Sequence, residues 1–293
     1  DRINNGQHTS KIRGANLGLS LTRVFGNALA WLVGKKLGVR RRHAITCLRR
    51  AGIADPEAVA DGMYRSLGSG VFELCFHASR RANLDRMVSV DTRAFDDLLA
   101  AGRGAVVAAA HTGNWDLVLC AAGSKTALTV VTKRQSVRWI NWLWQKLRAC
   151  HGVRLVEKGR AAREALRALG RGEAVAMMID QAPDRRRGAI QVPFLGQLAW
   201  VDLSPALIAL RARAPLIAAF PHRCADDIHR VEIGAVLWPS RFPSREWAEQ
   251  AMRRLTADLE AFVVAHPEQW LWMHRRWKDP PEAGRAQRVS RPK

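Results

Sequence analysis

The sequence predicts an α/β fold in which helices flank a mostly parallel central sheet and a helical N-terminal segment precedes it. From residue 104 onward, short apolar runs alternate with amphipathic stretches, the order typical of strands that alternate with helices. These runs are apolar at successive positions, as expected for strands buried on both faces. We therefore predict an α/β domain over residues 81–280, a helical membrane-associating segment over 1–80 and a disordered basic tail over 281–293.

Each predicted element follows from a local pattern. The apolar runs predict strands over Ala105–Ala110, Leu128–Thr132, Val153–Val156, Ala174–Ile179, Leu216–Phe220 and His229–Ile233. Helical spacing predicts helices over Val137–Cys150, Arg160–Leu169, Asp202–Arg213 and Arg245–Ala265. In the N-terminal segment, Asp55 is expected to cap a helix that begins at Pro56, because proline suits the first helical position.

The charge of the chain is strongly basic. The 293 residues hold 47 Lys and Arg against 26 Asp and Glu, which gives a formal net charge of +21. Residues 1–50 alone hold eleven of the cations and a single acidic residue, Asp1. Such a balance implies an anionic partner, which is nucleic acid, anionic lipid or an acidic protein. No nucleic-acid recognition motif accompanies the charge, so nucleic-acid binding is not expected and stays the alternative.

An amphipathic stretch over Leu17–Val33 favours the lipid partner. Its larger apolar residues recur on one helical face, and basic residues follow at Lys35, Lys36 and 40–42. This pattern is typical of a helix that lies on a membrane surface, although an ordinary helix facing the core has the same spacing. The longest uncharged piece, Val24–Gly34, is much shorter than the roughly 20 residues that cross a bilayer.

The five cysteines are scattered and form no CxxC pair, which predicts reduced thiols buried in the core of a protein in a reducing compartment. No cluster of Cys and His with the spacing of metal ligands is present. We therefore expect neither a metal nor another cofactor.

His111 and Asp116 are the first candidates for catalysis. The run AVVAAA ends at His111, and TGNW separates this histidine from Asp116. A histidine is a natural general base near pH 7, and a carboxylate on its other ring nitrogen would orient it. No serine nucleophile in a G-x-S-x-G turn is present, so His111 is expected to activate a hydroxyl of a substrate or a water molecule.

Three blocks of the sequence resemble one family. HTGNWDL is similar to the H-x4-D/E motif of the late acyltransferases of lipid A biosynthesis, a group that is lysophospholipid-acyltransferase-like. GEAVAMMIDQAP followed by VPFLGQLAW resembles the second block of the family, and HPEQWLWMHRRWK resembles its closing signature. The order and spacing of the blocks agree from about residue 40 to residue 278. Asp116 stands where many relatives have glutamate.

The resemblance implies an O-acyltransferase at the cytoplasmic face of the bacterial inner membrane. Its donor would be an acyl thioester, usually on acyl carrier protein, with coenzyme A as the alternative. Its acceptor would be a hydroxyl of a membrane glycolipid, most typically a lipid A precursor in lipopolysaccharide biosynthesis. Other membrane lipids, such as a lysophospholipid or an aminolipid, remain alternative acceptors, and a hydrolase would use the same residues to activate water.

The resemblance also assigns residues. His111 would remove the proton of the acceptor hydroxyl, and Asp116 would orient His111. Arg148 would hold a phosphate or stabilise the oxyanion, and Asp180 would hold Arg148 or position the substrate. Further candidates for contact with the substrate or the oxyanion are Asn114, Arg275 and Arg276. Together with His274, the two arginines are expected to contact a phosphate or headgroup.

Overall fold

The computed structural model describes residues 21–77, 81–90, 102, 104–132, 138–241 and 244–278. Within these residues, the strands are β1 (Val88–Ser89), β2 (Ala105–Ala109), β3 (Leu128–Thr132), β4 (Val153–Glu157), β5 (Ala174–Met178), β6 (Ala189–Phe194), β7 (Gln197–Asp202), β8 (Leu216–Arg223) and β9 (His229–Leu237).

The helices that follow the N-terminal one are α2 (Arg41–Arg50), α3 (Pro56–His77), α4 (Arg81–Met87), α5 (Trp115–Gly123), α6 (Arg138–Cys150), α7 (Ala161–Gly170), α8 (Ser204–Ala212) and α9 (Arg245–Ala265). The described part of α1 covers residues 21–30 and continues as a π-helical turn over Trp31–Lys36. Short 3-10 turns lie at Lys158–Arg160 and Pro267–Gln269.

The central sheet has seven strands in the order β1-β9-β8-β2-β5-β3-β4. Strands β8, β2, β5, β3 and β4 run parallel, whereas β9 pairs antiparallel with β8, and β1 runs parallel to β9. The mostly parallel α/β fold is therefore confirmed. Because β2 pairs with β5 from Ala105↔Ala174 to Ala109↔Met178, the residues that follow these two strands emerge side by side.

Both faces of the sheet are covered. All five residues of β2 are buried, because alternate side chains enter two different apolar layers. Val106 and Ala108 belong to a core shared with α7, α8 and α9, and Val107 packs in a second layer with Leu119 of α5. Because both faces of β2 are buried, its residues are apolar at every position rather than at alternate ones.

Strands β6 and β7 form an antiparallel hairpin that is absent from the predicted strands. Leu195 and Gly196 link them with φ values of 50° and 72°, which matches the left-handed two-residue turns that favour hairpins. Phe194, at the end of β6, is fully buried against Trp270, with ring centroids 5.6 Å apart. The hairpin thus covers the core beside the closing block of the sequence.

The predicted elements are present, with differences at their ends. Helix α3 begins at Pro56 as predicted, and Asp55 Oδ1 accepts a hydrogen bond from Ala58 N at 3.2 Å. Asp202, predicted as the start of a helix, ends β7 instead, because its carboxylate accepts from the backbone and hydroxyl of Ser204, where α8 begins. All five cysteines are free, but only Cys47 and Cys120 are buried, so the expectation of buried thiols fails for the others.

The N-terminal helix packs on α3 through small residues. A Cβ on Gly26 would lie 2.6 Å from the Ser69 backbone, and a Cβ on Gly68 would lie 2.3 Å from the Gly26 carbonyl oxygen. Leu21, Phe25 and Leu32 are 43–46% exposed, so the alternative of a helix that turns this apolar face to the core is wrong. Residues 1–20 and the tail 281–293 lie outside the described residues. Across the described chain, no helix combines the length and the apolar character that crossing a membrane requires.

Candidate active site

A cavity of about 660 Å³ opens where β2, β3 and β5 end. This is the edge at which parallel α/β sheets bind their ligands. His111, which follows β2, and residues 179 and 181, which follow β5, line the cavity together with Leu67 and Val71 of α3. Asn114, Asp116 and Arg148 also line it. The sheet therefore gathers most of the candidate residues into one pocket.

His111 is held by Asp180. Its ring Nδ1 lies 2.9 Å from Oδ1 and 3.2 Å from Oδ2 of Asp180, and its backbone N–H donates to Oδ2 at 3.1 Å. The indole N–H of Trp270 donates to the same Oδ2 at 3.2 Å. Asp180 is fully buried, whereas the His111 side chain remains 17% exposed toward the cavity. This arrangement orients the imidazole and leaves Nε2 as the nitrogen available to a substrate.

Burial alone would lower the pKa of His111, but the charge and hydrogen bond of Asp180 outweigh it and raise that pKa above its usual value. Burial likewise favours the neutral form of Asp180, but His111 reverses the effect and holds the pKa of this carboxyl well below its usual range. The pair thus consists of an ionised carboxylate and an imidazole whose proton affinity is increased.

Asp116 does not orient His111 as predicted. Its Oδ1 accepts from Arg148 Nε at 2.8 Å and lies 2.5 Å from Arg148 Nη2, and its Oδ2 accepts from Trp144 Nε1 at 2.7 Å. Asp180 does not hold Arg148 either, because Asp180 bonds His111 and Arg148 bonds Asp116. The physical reason is topological: β5 lies beside β2 and delivers Asp180 to His111, whereas Asp116 points from α5 toward α6.

Asn114 caps α5 and is anchored to its surroundings. Its Oδ1 accepts from Leu117 N at 3.1 Å, and its Nδ2 donates to Gly70 O at 3.1 Å and to Glu73 Oε2 at 3.0 Å. Because both donors of the amide have protein partners, Asn114 positions the loop rather than offering a free donor to an oxyanion.

Glu73 is a buried carboxylate that sequence reasoning missed. It bonds Asn114, Arg223 and His229 Nε2, the last at 3.0 Å, and so joins α3 to the loop after β2 and to both strands β8 and β9. Burial opposes its charge, but these partners prevail and lower the pKa of Glu73 to about 2. Only its position inside the otherwise apolar run VFELCF hinted at a partner.

His274 also belongs to the site, although the sequence suggested only a contact with a phosphate or headgroup for it. Its ring lies 4.7 Å from that of His111, in an edge-on arrangement, and Gln181 Nε2 is 3.2 Å from its Nε2. Burial lowers the pKa of His274 to about 4, so this histidine is neutral at pH 7. The signal was its place in the block HPEQWLWMHRRWK, which returns the chain to the edge of the sheet.

Among the described residues, His111, Asp180 and His274 offer ligand atoms within 4.8 Å of one another, so these three could hold a metal ion. Asp180, however, already accepts from both the ring and the backbone of His111. A carboxylate bonded to one ring nitrogen of a histidine orients that histidine as a general base.

The two remaining candidates lie apart from the cavity. Arg276 is fully buried, its Nη1 donates to Trp200 O at 2.8 Å, and its guanidinium lies 5.1 Å from the centre of the Phe194 ring. Burial lowers the pKa of Arg276 to about 10. Its predicted contact with a headgroup is therefore wrong, because the side chain supports the β6–β7 hairpin. Arg275 is exposed and does not line the cavity.

Comparison with known proteins identifies the family. Residues 14–279 match the family model described as "Bacterial lipid A biosynthesis acyltransferase". The chain belongs to this family. It is an acyltransferase that acts on a lipid.

The similarity extends to named acyltransferases. The phosphatidylinositol mannoside acyltransferase of Mycobacterium tuberculosis is 25% identical over 237 residues, which span 73% of this acyltransferase and 67% of the relative. The solved structure of the 1-acyl-sn-glycerophosphate (LPA) acyltransferase PlsC from Thermotoga maritima aligns with 84% of this chain and 97% of its own, at 12% identity and a TM-score of 0.39.

Proposed function

We propose that this acyltransferase moves an acyl chain from a thioester to a hydroxyl of a membrane glycolipid, with His111 as the general base and Asp180 as the residue that positions it. The observation that carries the proposal is the contact of Asp180 with Nδ1 of His111, which lines the cavity. Asp180 takes the orienting role that the sequence suggested for Asp116.

The reaction balances with these two residues. The neutral imidazole of His111 carries its proton on Nδ1, so Nε2 is free to act as the base. Nε2 removes the proton of the acceptor hydroxyl while the hydroxyl oxygen attacks the thioester carbonyl. The tetrahedral oxyanion then collapses, the carbon–sulfur bond breaks, and His111 returns the proton to the departing thiolate. Asp180 stabilises the imidazolium between these steps without itself becoming protonated.

Arg148 is proposed to stabilise negative charge. The residue is 9% exposed and lines the cavity, and two of its nitrogens contact Asp116. A guanidinium has five N–H donors, so donors remain for the oxyanion or for a phosphate of the acceptor. Asp116, which itself accepts a hydrogen bond from Trp144, holds the cation in place for either use.

The acyl chain is proposed to enter a second cavity. This apolar space of about 220 Å³ lies between α5 and the sheet and shares Trp115, Leu119 and Met178 with the walls of the larger cavity. Ala122 also lines this cavity. We expect Ala122→Phe to shift donor preference toward shorter acyl chains in competition assays, because a large ring would fill the cavity. An unchanged preference would remove this cavity from the acyl path.

The N-terminal helix is proposed to dock on the cytoplasmic face of the inner membrane. Val24 and Trp31 are 60% and 57% exposed, and the exposed cations Lys36, Arg40 and Arg42 lie just beyond them. Exposed apolar residues beside cations are typical of proteins that bind an anionic bilayer. Helix α3 joins the two regions, because it packs on the N-terminal helix and lines the cavity.

The reaction is tested with purified protein, detergent-dispersed acceptors and mass spectrometry. A lipid A precursor, a phosphatidylinositol mannoside and a lysophospholipid are compared as acceptors, each with acyl carrier protein and coenzyme A thioesters as donors. We expect the lipid A precursor to gain one acyl chain fastest from the carrier-protein thioester. Release of free fatty acid at the same rate without any acceptor would indicate a hydrolase instead.

Membrane docking is tested with vesicles of phosphatidylglycerol and phosphatidylcholine. We expect Val24→Ser combined with Trp31→Ser to reduce co-sedimentation several-fold. Val264→Ser, at a position on α9 that is 58% exposed, is the matched control and should bind like the original chain. Equal loss in the control and the double variant would contradict docking through the N-terminal helix.

A further inference from the structure

We propose that His222, Glu232 and His266 form a binding site for a divalent transition-metal ion, with Zn²⁺ as the best match. The inference rests on the described contacts alone and goes beyond acyl transfer. Among the described residues, these three offer ligand atoms within 4.8 Å of one another, outside the catalytic cavity. Two imidazoles and one carboxylate form a ligand set that Zn²⁺ commonly takes.

The topology of the fold brings these ligands together. Glu232 stands opposite Phe220 in the antiparallel pairing of β8 and β9, so it shares a sheet face with His222, two residues further along β8. His266 follows directly after α9, which packs on the same face. The Phe262 ring, 5.0 Å from that of His266 and 6.1 Å from that of His222, walls the cluster on its apolar side.

The distances suit one ion. Glu232 Oε1 lies 2.9 Å from His266 Nε2 and 3.5 Å from His222 Nδ1. A tetrahedral ion with bonds of 2.0–2.1 Å separates its ligand atoms by about 3.3 Å. The separations of 2.9 and 3.5 Å lie on either side of this value. Both imidazole rings present a nitrogen to the same carboxylate oxygen. The rings are stacked, 12° from parallel with centroids 4.6 Å apart, so one ring must turn about its side-chain bonds to bring both nitrogen lone pairs onto one ion.

His222 supplies an independent observation in favour of the site. Its side chain is only 12% exposed, and its Nδ1 is buried and makes no hydrogen bond. Its other ring nitrogen lies 3.2 Å from Cys224 Sγ. Buried polar atoms are normally satisfied, and an ion bound at Nδ1 would satisfy this one. A contact to the second nitrogen of a ligating histidine is a common feature of metal sites.

The surroundings leave a route for the ion. The Glu232 side chain is 46% exposed and that of His266 is 28% exposed, so an ion can enter from solvent and keep a water as its fourth ligand. Arg230, the cation opposite His222 in the strand pairing, is paired with Asp226 at 2.7 and 3.2 Å. That pairing offsets the charge which would otherwise repel a metal ion.

The site is connected to the catalytic loop through Gly113. This residue has a φ of 49°, and a Cβ on it would lie 2.8 Å from Pro221 O and 3.0 Å from His222 Cα. Its N–H donates at 2.8 Å to Gln269 O, three residues after His266. An ion that joins His222 to His266 would therefore tie together the two segments that hold the loop after His111.

Binding is tested with the purified chain after treatment with a chelator. Isothermal titration with Zn²⁺ should give one site, and Co²⁺ should give the visible absorption of a tetrahedral complex. We expect Glu232→Gln and His266→Ala to weaken binding at least tenfold, while circular dichroism shows that both variants remain folded. Zn²⁺ should raise the unfolding temperature of the original chain and leave that of Glu232→Gln unchanged.

His274→Ala distinguishes the two groups of ligands and should retain the Zn²⁺ affinity of the original chain. Loss of binding in His274→Ala, with binding retained in His266→Ala, would place the ion at His111 and Asp180 and overturn the proposal. Failure of the original chain to bind Zn²⁺ would overturn it too. Because no acyl donor is used, neither result depends on whether acyl transfer is observed.

Discussion

Two buried carboxylates lie beside the same cavity and have similar surroundings, but the partners that they bond differ in charge chemistry. Asp180 bonds His111 and the indole N–H of Trp270, whereas Asp116 bonds Arg148 and the indole N–H of Trp144. An imidazole loses its proton near neutral pH, and a guanidinium does not. One wall of the cavity can therefore transfer a proton, while the other holds a permanent positive charge.

The largest effect is expected where the proton is transferred. We predict that His111→Ala lowers kcat by roughly two to four orders of magnitude, the usual range for loss of a general base. The assay is initial-rate acyl transfer at saturating donor and acceptor. The unfolding temperature should change little, and a variant with near-normal kcat would eliminate His111 as the base.

Asp180→Asn should rank next, with a loss of kcat of about two orders of magnitude or more, because an amide cannot stabilise the imidazolium in the same way. The pH dependence sharpens this prediction. Asp180 raises the pKa of His111, and the base acts only when neutral, so activity should rise with pH through a value above 6.5.

Without the carboxylate, this rising limb of the profile of kcat against pH should move to lower pH. A limb at the same pH in Asp180→Asn would show that another group titrates. A limb that moves instead in Asp116→Asn, and stays in place in Asp180→Asn, would reverse the roles assigned to the two carboxylates.

Arg148→Lys tests the fixed charge on the other wall. Lysine keeps the charge but loses the planar pair of donors that contact Asp116, so we expect a fall of roughly tenfold in kcat/KM. Arg148→Ala should lower kcat/KM further, because it also removes the charge. Steady-state kinetics at varied acceptor concentration would show the effect. If both variants had the rate of the original chain at every concentration, Arg148 would not belong to the site.

Glu73, another buried carboxylate among the described residues, should have the smallest effect on kcat. Its effect on the free energy of unfolding should be large. Breaking a buried ion pair costs about 3–5 kcal/mol, and Glu73→Gln should lower the free energy of unfolding by an amount of this order. Urea denaturation measures it. Glu57→Gln, whose side chain is 50% exposed in its pair with Arg49, is the control and should lose less than about 1 kcal/mol.

The pH dependence of the Glu73 contribution has a definite sign. The folded-state pKa of Glu73 is lowered to about 2 from an ordinary value of 4.5. Its stabilising contribution is therefore complete above pH 4.5 and is lost as the pH falls from there to about 2. If acid destabilised the original chain and Glu73→Gln equally over this range, the buried network would not contribute as described.

Much of the fold could be predicted from local patterns. The apolar runs located strands β2, β3, β4 and β5, and the long α9 was predicted with the bounds that the structure has. The β6–β7 hairpin was missed because its turn depends on positive φ values at Leu195 and Gly196, and leucine is not a usual sign of such a turn. The outward face of the N-terminal helix could not be decided either, since its packing on α3 depends on Gly26 and Gly68.

The family resemblance, the parallel sheet and the presence of His111, Arg148 and Asp180 as chemical groups follow from the order of the residues alone. The pairing of these groups depends on the folded chain. Asp116 is five positions from His111 in the chain, but Asp180, 69 positions away, makes the contact. The physical reason is that strand pairing places the end of β5 beside the end of β2, whereas the turn after His111 directs Asp116 toward Arg148.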